Sequence, residues 1–280
     1  MTDAKVGVRL IILAAQRKGM VNSLAARFRT SHKCLVPLNG KPLIAHVLLA
    51  SAKCPGLAEI VVSIEPAAAR TVEDIAGAIG VPVRIVPSQD NLADSIWMAA
   101  GGHAGPMIIT TADHALLQPT SLEAVRDALA WGDAAVAMAR EDAVHAAHPN
   151  GQRCFYQFRE AGYSNCNLYG LAHSGALDAA EIFRSGGQFA KKVGRRISAF
   201  GLVNLLLLHF RLVTLEQAMG RLSRRIGLSI VPVILADGSQ AIDIDNDRTH
   251  AVAAQVLNAR RAGTDAAPAT QAPGSEGMAA

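Results

Sequence analysis

Residues 8–15, VRLIILAA, form an apolar run that stops abruptly in a polar, basic loop. Such a run reads as a fully buried strand. The loop carries Arg17, Lys18 and Gly19, then Arg27, Arg29, His32 and Lys33. A short apolar piece, 34–38, leads to Asn39-Gly40, a tight-turn dipeptide, and Pro42 suits the first position of a helix. A buried strand therefore delivers a long basic loop and then a helix. In open α/β sheets, ligands bind beyond the carboxyl ends of the strands. A cationic loop in that place calls for an anion, and a polyphosphate meets the need.

The pattern recurs down the chain. Residues 59–64, 83–86, 107–111 and 134–139 read as further short strands, with helices at 42–53, 70–80, 92–100 and 121–131. This alternation predicts an α/β fold: a Rossmann-like, mostly parallel sheet with helices on both faces. After residue 140 the rhythm breaks. Residues 141–152 read as irregular, and 154–158 and 167–171 as two strands around Gly162. Helical pieces follow at 175–184, 199–211 and 215–226, strands at 229–234 and 241–244, and a last amphipathic helix at 248–262. We expect a single domain over 1–262 with an inserted region at about 141–227, then a disordered tail at 263–280, poor in bulky apolar residues.

Composition narrows the partners. With 280 residues and 50% hydrophobic content, the chain has material for a sizeable core. Only 4% is aromatic, which argues against a stacking surface for single-stranded nucleic acid. A net charge of +4 suits a small anionic substrate better than a DNA duplex, and no helix-turn-helix or zinc-finger pattern is present, so no nucleic acid partner is expected. Cys34, Cys54, Cys154 and Cys166 are far apart and form no Cys-x-x-Cys, which leaves zinc and redox-pair chemistry unsupported and points to a reducing, cytoplasmic compartment. Residues 8–15 carry Arg9 and lead to no cleavage site, unlike a signal peptide, and 199–210 is too short to span a bilayer.

The stretch 13–44 resembles the opening signature of nucleotidyltransferases with a glycosyltransferase-A-like fold, above all the molybdenum cofactor guanylyltransferase-like enzymes. Their signature is Leu-Ala-Ala-Gly, a loop with Gly and Arg, a Lys, then Gly-Lys-Pro-Leu. The matching positions are Leu13-Ala14-Ala15, Arg17, Gly19, Lys33 and Gly40-Lys41-Pro42-Leu43. Gln16 stands where the family usually has Gly, Lys18 sits inside the glycine-rich part, and the loop from Gly19 to Lys33 is long. The resemblance runs from about residue 8 to 257. It implies magnesium-dependent transfer of a nucleoside monophosphate from CTP or GTP to a phosphorylated acceptor, small or lipid-linked, with release of pyrophosphate.

Individual residues then take expected roles. Asp113 follows the apolar lead-in 108–112, at the ligand edge of the sheet. Magnesium uses one or two carboxylates plus phosphate oxygens. The resemblance assigns it Asp113 and, late in the chain, Asp245, with Asp243 in reserve. If 241–244 is a strand, alternation puts Asp243 and Asp245 on one face, and Asp247 then caps the last helix. An EF-hand is excluded because its Gly and terminal Glu are missing. Lys33 and Arg17 are the expected catalytic cations, since transfer spreads negative charge over the α-phosphate oxygens. Leu13, Ala14, Ala15, Gly19 and Lys33 are expected to cradle the nucleotide. Ser95 is added from the resemblance, on a helix whose N-terminus can present N–H groups; Asp90, Asn91 or Asp94 can equally serve there as caps. Asn165 and Asn167 are expected acceptor contacts, with turn-forming Asn as the alternative. Lys191 and Lys192 suit an acceptor phosphate, with a solvated face as the alternative. The basic-then-apolar run 191–210 is either a buried helix or a surface for peripheral membrane contact. Two rivals stay open: a glycosyltransferase of the same fold using a nucleotide-sugar, and an inactive nucleotide binder, which Gln16 and Lys18 keep in view.

Overall fold

The computed structural model describes residues 7–16, 22–177 and 210–265. In chain order its elements begin with β1 (Val8–Leu13), α1 (Ser23–Arg27), β2 (Pro37–Leu38), β3 (Lys41–Pro42), α2 (Leu43–Ser51), β4 (Leu57–Ile64), α3 (Pro66–Ala78) and β5 (Arg84–Pro87). Next come α4 (Leu92–Ala100), β6 (Met107–Thr111), α5 (Pro119–Ala128), β7 (Ala134–Arg140) and α6 (Glu141–Ala147). The described chain then gives β8 (Tyr156–Gln157), β9 (Gly162–Leu171), α7 (Leu215–Ile226), β10 (Ile230–Leu235) and α8 (Asp247–Asp265).

The apolar run at the start becomes β1, and Leu10, Ile11 and Ile12 are fully buried. It is an inner strand, paired in parallel with β4 on one side and β6 on the other. The main sheet is ordered β10-β7-β9-β6-β1-β4-β5, with β8 added to β9. Alternate residues of β1 face opposite layers. Leu10 and Ile12 pack with Ile44, Val47 and Leu48 of α2 and Val72 of α3. Ile11 joins Val61, Ile109, Ile96 and Ala99, with Leu222 of α7, on the other face. A third apolar layer lies beyond the carboxyl edge. It joins Leu24, Val36 and Leu38 of the basic loop, Ala115 and Leu116 after β6, Ile242 and Ile244, and Val252 of α8.

The sheet is mostly parallel, as expected, with β9 antiparallel to both β6 and β7. Several other expectations are corrected. Residues 162–171 form one continuous inner strand, so part of the expected insertion belongs to the main sheet. Its polar sequence hides this, yet Ser164, Cys166 and Leu168 are buried. The strand is bulged: Val136 pairs with Tyr169 and Met138 with Asn165, and Asn167 adopts a left-handed φ of 49°. Residues 141–147, expected to be irregular, are α6, with Asp142 accepting the backbone N–H of Ala143 at 2.8 Å. The expected strand at 241–244 is replaced by a 3₁₀ turn, Gly238–Ala241, which Asp237 caps. The cap of α8 is Asn246, whose Oδ1 accepts the N–H of Thr249 at 3.1 Å, while Asp247 pairs with Arg27. The helix runs on to Asp265, past the expected end at 262. The helices expected at 175–184 and 199–211 lie almost entirely outside the described residues, as do 266–280 of the tail.

Asp237 is the knot that fixes the segment before Asp243. It accepts from Arg260 at 2.8 Å, Gln118 at 3.0 Å and Gln240 at 3.1 Å, and from the N–H of Ser239 at 2.9 Å. Burial works against its charge, but the bonds from Ser239 and the Arg260 guanidinium outweigh it and hold the carboxyl below its usual range. Asp237→Asn is expected to lower stability by roughly 1–2 kcal/mol at pH 7, allowing for partial exposure. A depressed carboxylate stabilises above its unfolded value and loses that contribution as pH falls. The gap between variant and parent in denaturant midpoint should therefore close below about pH 4. A gap that persists there would show that shape, not charge, holds the turn.

Candidate active site

Lys33 enters the site from a single 3₁₀ turn, Lys33–Leu35, whose Cys34 is buried. Its ammonium donates to Asp113 Oδ2 and to Asp245 Oδ1, the latter at 2.6 Å. These partners lie 80 and 212 residues away in sequence. Asp113 is placed by the ends of two adjacent strands, since the N–H of Ala112 donates to Leu13 O at 2.9 Å. Asp245 is placed by the loop before α8, where its N–H reaches Thr249 Oγ1 at 3.0 Å. The sequence expectation required Asp113 and Asp245 to meet in space, and both carboxylates converge on one ammonium.

The electrostatics follow from this clustering. Burial disfavours the Lys33 charge, but the Asp113 and Asp245 carboxylates outweigh it and keep the amine protonated. Burial likewise opposes ionisation of Asp113, and Lys33 outweighs it, so that carboxyl stays ionised. Asp243 sits behind them. Burial first, and then the charges of Asp113 and Asp245, push its carboxyl up to about 8. It accepts from Asn167 Nδ2 at 2.6 Å. Thr110 Oγ1 donates to Asn167 O at 3.0 Å and lies 3.1 Å from His114 Nδ1. Burial brings His114 down to about 4, so its ring is neutral.

The other expected residues divide. Leu13 and Ala14 close the end of β1, and Ala15 is exposed where the chain leaves the sheet. Gln16 lacks the positive φ for which glycine is needed. Its N–H donates to Glu65 Oε1 and its amide to Ser31 O, each at 2.7 Å, so it ties the two ends of the loop. Ser95 is buried, with Oγ accepting from the N–H of Gln89 and donating to Asn91 O, both at 2.9 Å. It shapes the turn into α4, and the cap is Asn91, which accepts the N–H of Asp94 at 2.9 Å. Asn165 is also used internally, donating to the Tyr169 hydroxyl and accepting from Asn167 N at 2.9 Å. Arg17, Gly19, Lys191 and Lys192 lie outside the described residues. Two supporting residues escaped the sequence reading: Glu65 and His32, whose side chains approach to 3.4 Å beside the loop. Glu65 directly follows β4, an acid at a strand end, the same signal that marked Asp113.

Among the described residues, no three or more His, Cys, Asp or Glu side chains form a metal-binding group, and no helix is long and apolar enough to cross a membrane. Comparison with known proteins bears on the whole assembly. The model of the MobA-like NTP transferase domain matches residues 10–182. Among solved structures, a hypothetical transferase from Thermus thermophilus superposes with a TM-score of 0.73 at 22% identity, covering 87% of this chain and 99% of that one. A CMP:2-keto-3-deoxy-manno-octonic acid synthetase complexed with CTP gives 0.57 at 14% identity, covering 91% and 99%. The 4-diphosphocytidyl-2C-methyl-D-erythritol synthase of Anaerococcus prevotii gives 0.57 at 10% identity, covering 90% and 96%. At these identities the structures speak to the fold alone. Among curated proteins none matches. With more than half its length matched by the family model, and a sheet that places Lys33, Asp113 and Asp245 at one edge, the chain belongs to the MobA-like NTP transferases.

Proposed function

We propose that the protein is a magnesium-dependent nucleotidyltransferase that moves a nucleoside monophosphate from CTP or GTP to a phosphorylated acceptor. An acceptor phosphate oxygen bonds to the α-phosphorus, the α–β bridging bond breaks, and pyrophosphate leaves with the electron pair. An acceptor already ionised as a phosphate needs no general base. The observation that carries this reading is the Lys33 ammonium held between Asp113 and Asp245 at the carboxyl edge of the sheet.

The residues present fit the metal. Two carboxylates from separate segments bring oxygens to one point, and Asp113 is kept ionised there. That is the protein share of a magnesium site completed by phosphate oxygens. Asp113 and Asp245 would hold the ion, which supplies positive charge against the phosphate oxygens. Lys33, with Arg17, stabilises the charge that develops on the α-phosphate. Leu13, Ala14, Ala15 and Gly19 bind the nucleotide, and Ser95 supports it by shaping the turn into α4. We assign Asn165 and Asn167 of β9, with Lys191 and Lys192, to the acceptor side. We also place the protein in the cytoplasm, from its cysteine spacing.

The test is pyrophosphate release with each of four NTPs, magnesium, and a panel of phosphorylated sugars, cofactors and lipid headgroups. Release that needs both CTP or GTP and one acceptor is the expected result. NTP binding with no release under any combination would leave an inactive binder, and turnover of nucleotide-sugars alone would make it a glycosyltransferase.

A further inference from the structure

Arg248 stands apart among the cations. The half-buried arginines of the described residues are Arg9, Arg84, Arg126, Arg248 and Arg260. Arg9 and Arg84 share Glu59, Arg126 meets Asp127, and Arg260 meets Asp237. Arg248 alone meets no carboxylate. Its Nη1 donates to the carbonyls of Asn150 and Gly151, the latter at 3.3 Å. Two neutral carbonyls engage one corner of a five-donor fork, and a partly desolvated cation short of an anion is costly.

Arg248 lines a cleft of about 630 Å³, together with the exposed Arg153, His148, Asn150, Val252 and Gln255. No carboxylate is among the residues that line it. Its walls are pinned. His148 Nδ1 accepts the N–H of Asn150 at 3.1 Å, so its Nε2 carries the proton and donates to Gln255 Oε1 at 2.8 Å. Both ring nitrogens of His148 are thereby engaged, and the two arginines are the charged residues of the cleft. Arg248 lies three residues beyond Asp245, in the first turn of α8, and a helical turn rises only about 5.4 Å. Gly151 packs on Ile242, next to Asp243. Arg248 and Asp245 thus share the chain segment that enters α8.

We propose that the Arg153–Arg248 cleft binds the phosphate of the acceptor. A dianion matches two guanidinium groups, whose planar forks bond oxyanions bidentately. Val252, with Ala251 and Pro149, offers apolar surface to the organic part behind that phosphate. This assignment rests on the nucleotidyl-transfer reading and names where its second substrate docks.

The experiment is calorimetric titration of the full-length protein with inorganic phosphate, and separately with magnesium and CTP or GTP. Arg153→Gln is the main variant, since an exposed side chain can be changed without cost to folding. Arg248→Gln is the second, compared with Arg248→Lys and checked by thermal midpoint. Each Gln variant should bind phosphate about tenfold more weakly, the loss of one charge-assisted contact. Arg153→Gln should bind Mg·NTP within twofold of the parent. Unchanged phosphate affinity in both variants overturns the proposal. Loss of NTP affinity in step with phosphate would assign the cleft to the nucleotide tail, which also overturns it. Failure of all four NTPs to release pyrophosphate sinks the nucleotidyl-transfer reading instead, and leaves the phosphate titrations standing as a separate result.

Discussion

Asp113→Ala should abolish pyrophosphate release, with a loss of at least roughly a thousandfold, the size expected when several kcal/mol of metal-borne charge stabilisation disappears. The side chain stands two residues beyond β6, and without it Lys33 keeps Asp245 as its partner. The thermal midpoint should change little, and Asp113→Asn, which keeps the shape, should behave alike in both assays. Binding of magnesium and NTP together should weaken in either variant, as read by calorimetry. Normal turnover in Asp113→Ala would remove the metal assignment. A collapsed midpoint would show instead that the carboxylate is a structural counter-charge for Lys33.

Lys33→Ala should lower kcat by about a hundredfold or more while changing the NTP dissociation constant by less than about fivefold. The charge on the equatorial α-phosphate oxygens is greatest in the transition state, and a fixed ammonium acts most there. Steady-state rates across NTP concentrations, with binding measured independently, separate the two quantities. A variant with normal kcat and weak NTP binding would make Lys33 a ground-state contact.

Much of this could be read from sequence because the signals are local. The run of 8–15, apolar but for Arg9, stands in one piece, and Asp113 lies two residues past a buried strand, so both were read in place. The meeting of Lys33 with Asp245 could only be inferred from the family resemblance, because their separation of 212 residues leaves no local trace. Strand β9 was read only from Asn167 on, because Ser164, Asn165 and Asn167 break the alternation of apolar residues. Its position between β6 and β7 buries polar side chains that bond the bulge and Asp243, so tertiary partners override the pattern. The strand expected at 241–244 does not form for a related reason: the chain there leaves a 3₁₀ turn, Gly238–Ala241, set by Asp237 with Gln118 before α5 and Arg260 of α8. Ser95 and Asn165 were expected to contact nucleotide and acceptor, and their hydrogen bonds run inward.

The apolar layer beyond the carboxyl edge has a bearing on how such a chain tolerates change. Leu24 and Val36 flank the stretch that bears Lys33, Ala115 and Leu116 follow Asp113, and Ile242 and Ile244 bracket Asp243 just before Asp245. The three charged segments are therefore referenced to one another through a common greasy platform, rather than each to the sheet alone, and small displacements are shared instead of accumulating. Changes of length upstream of Leu24 should therefore be tolerated, because the platform resets the chain before it reaches the ammonium.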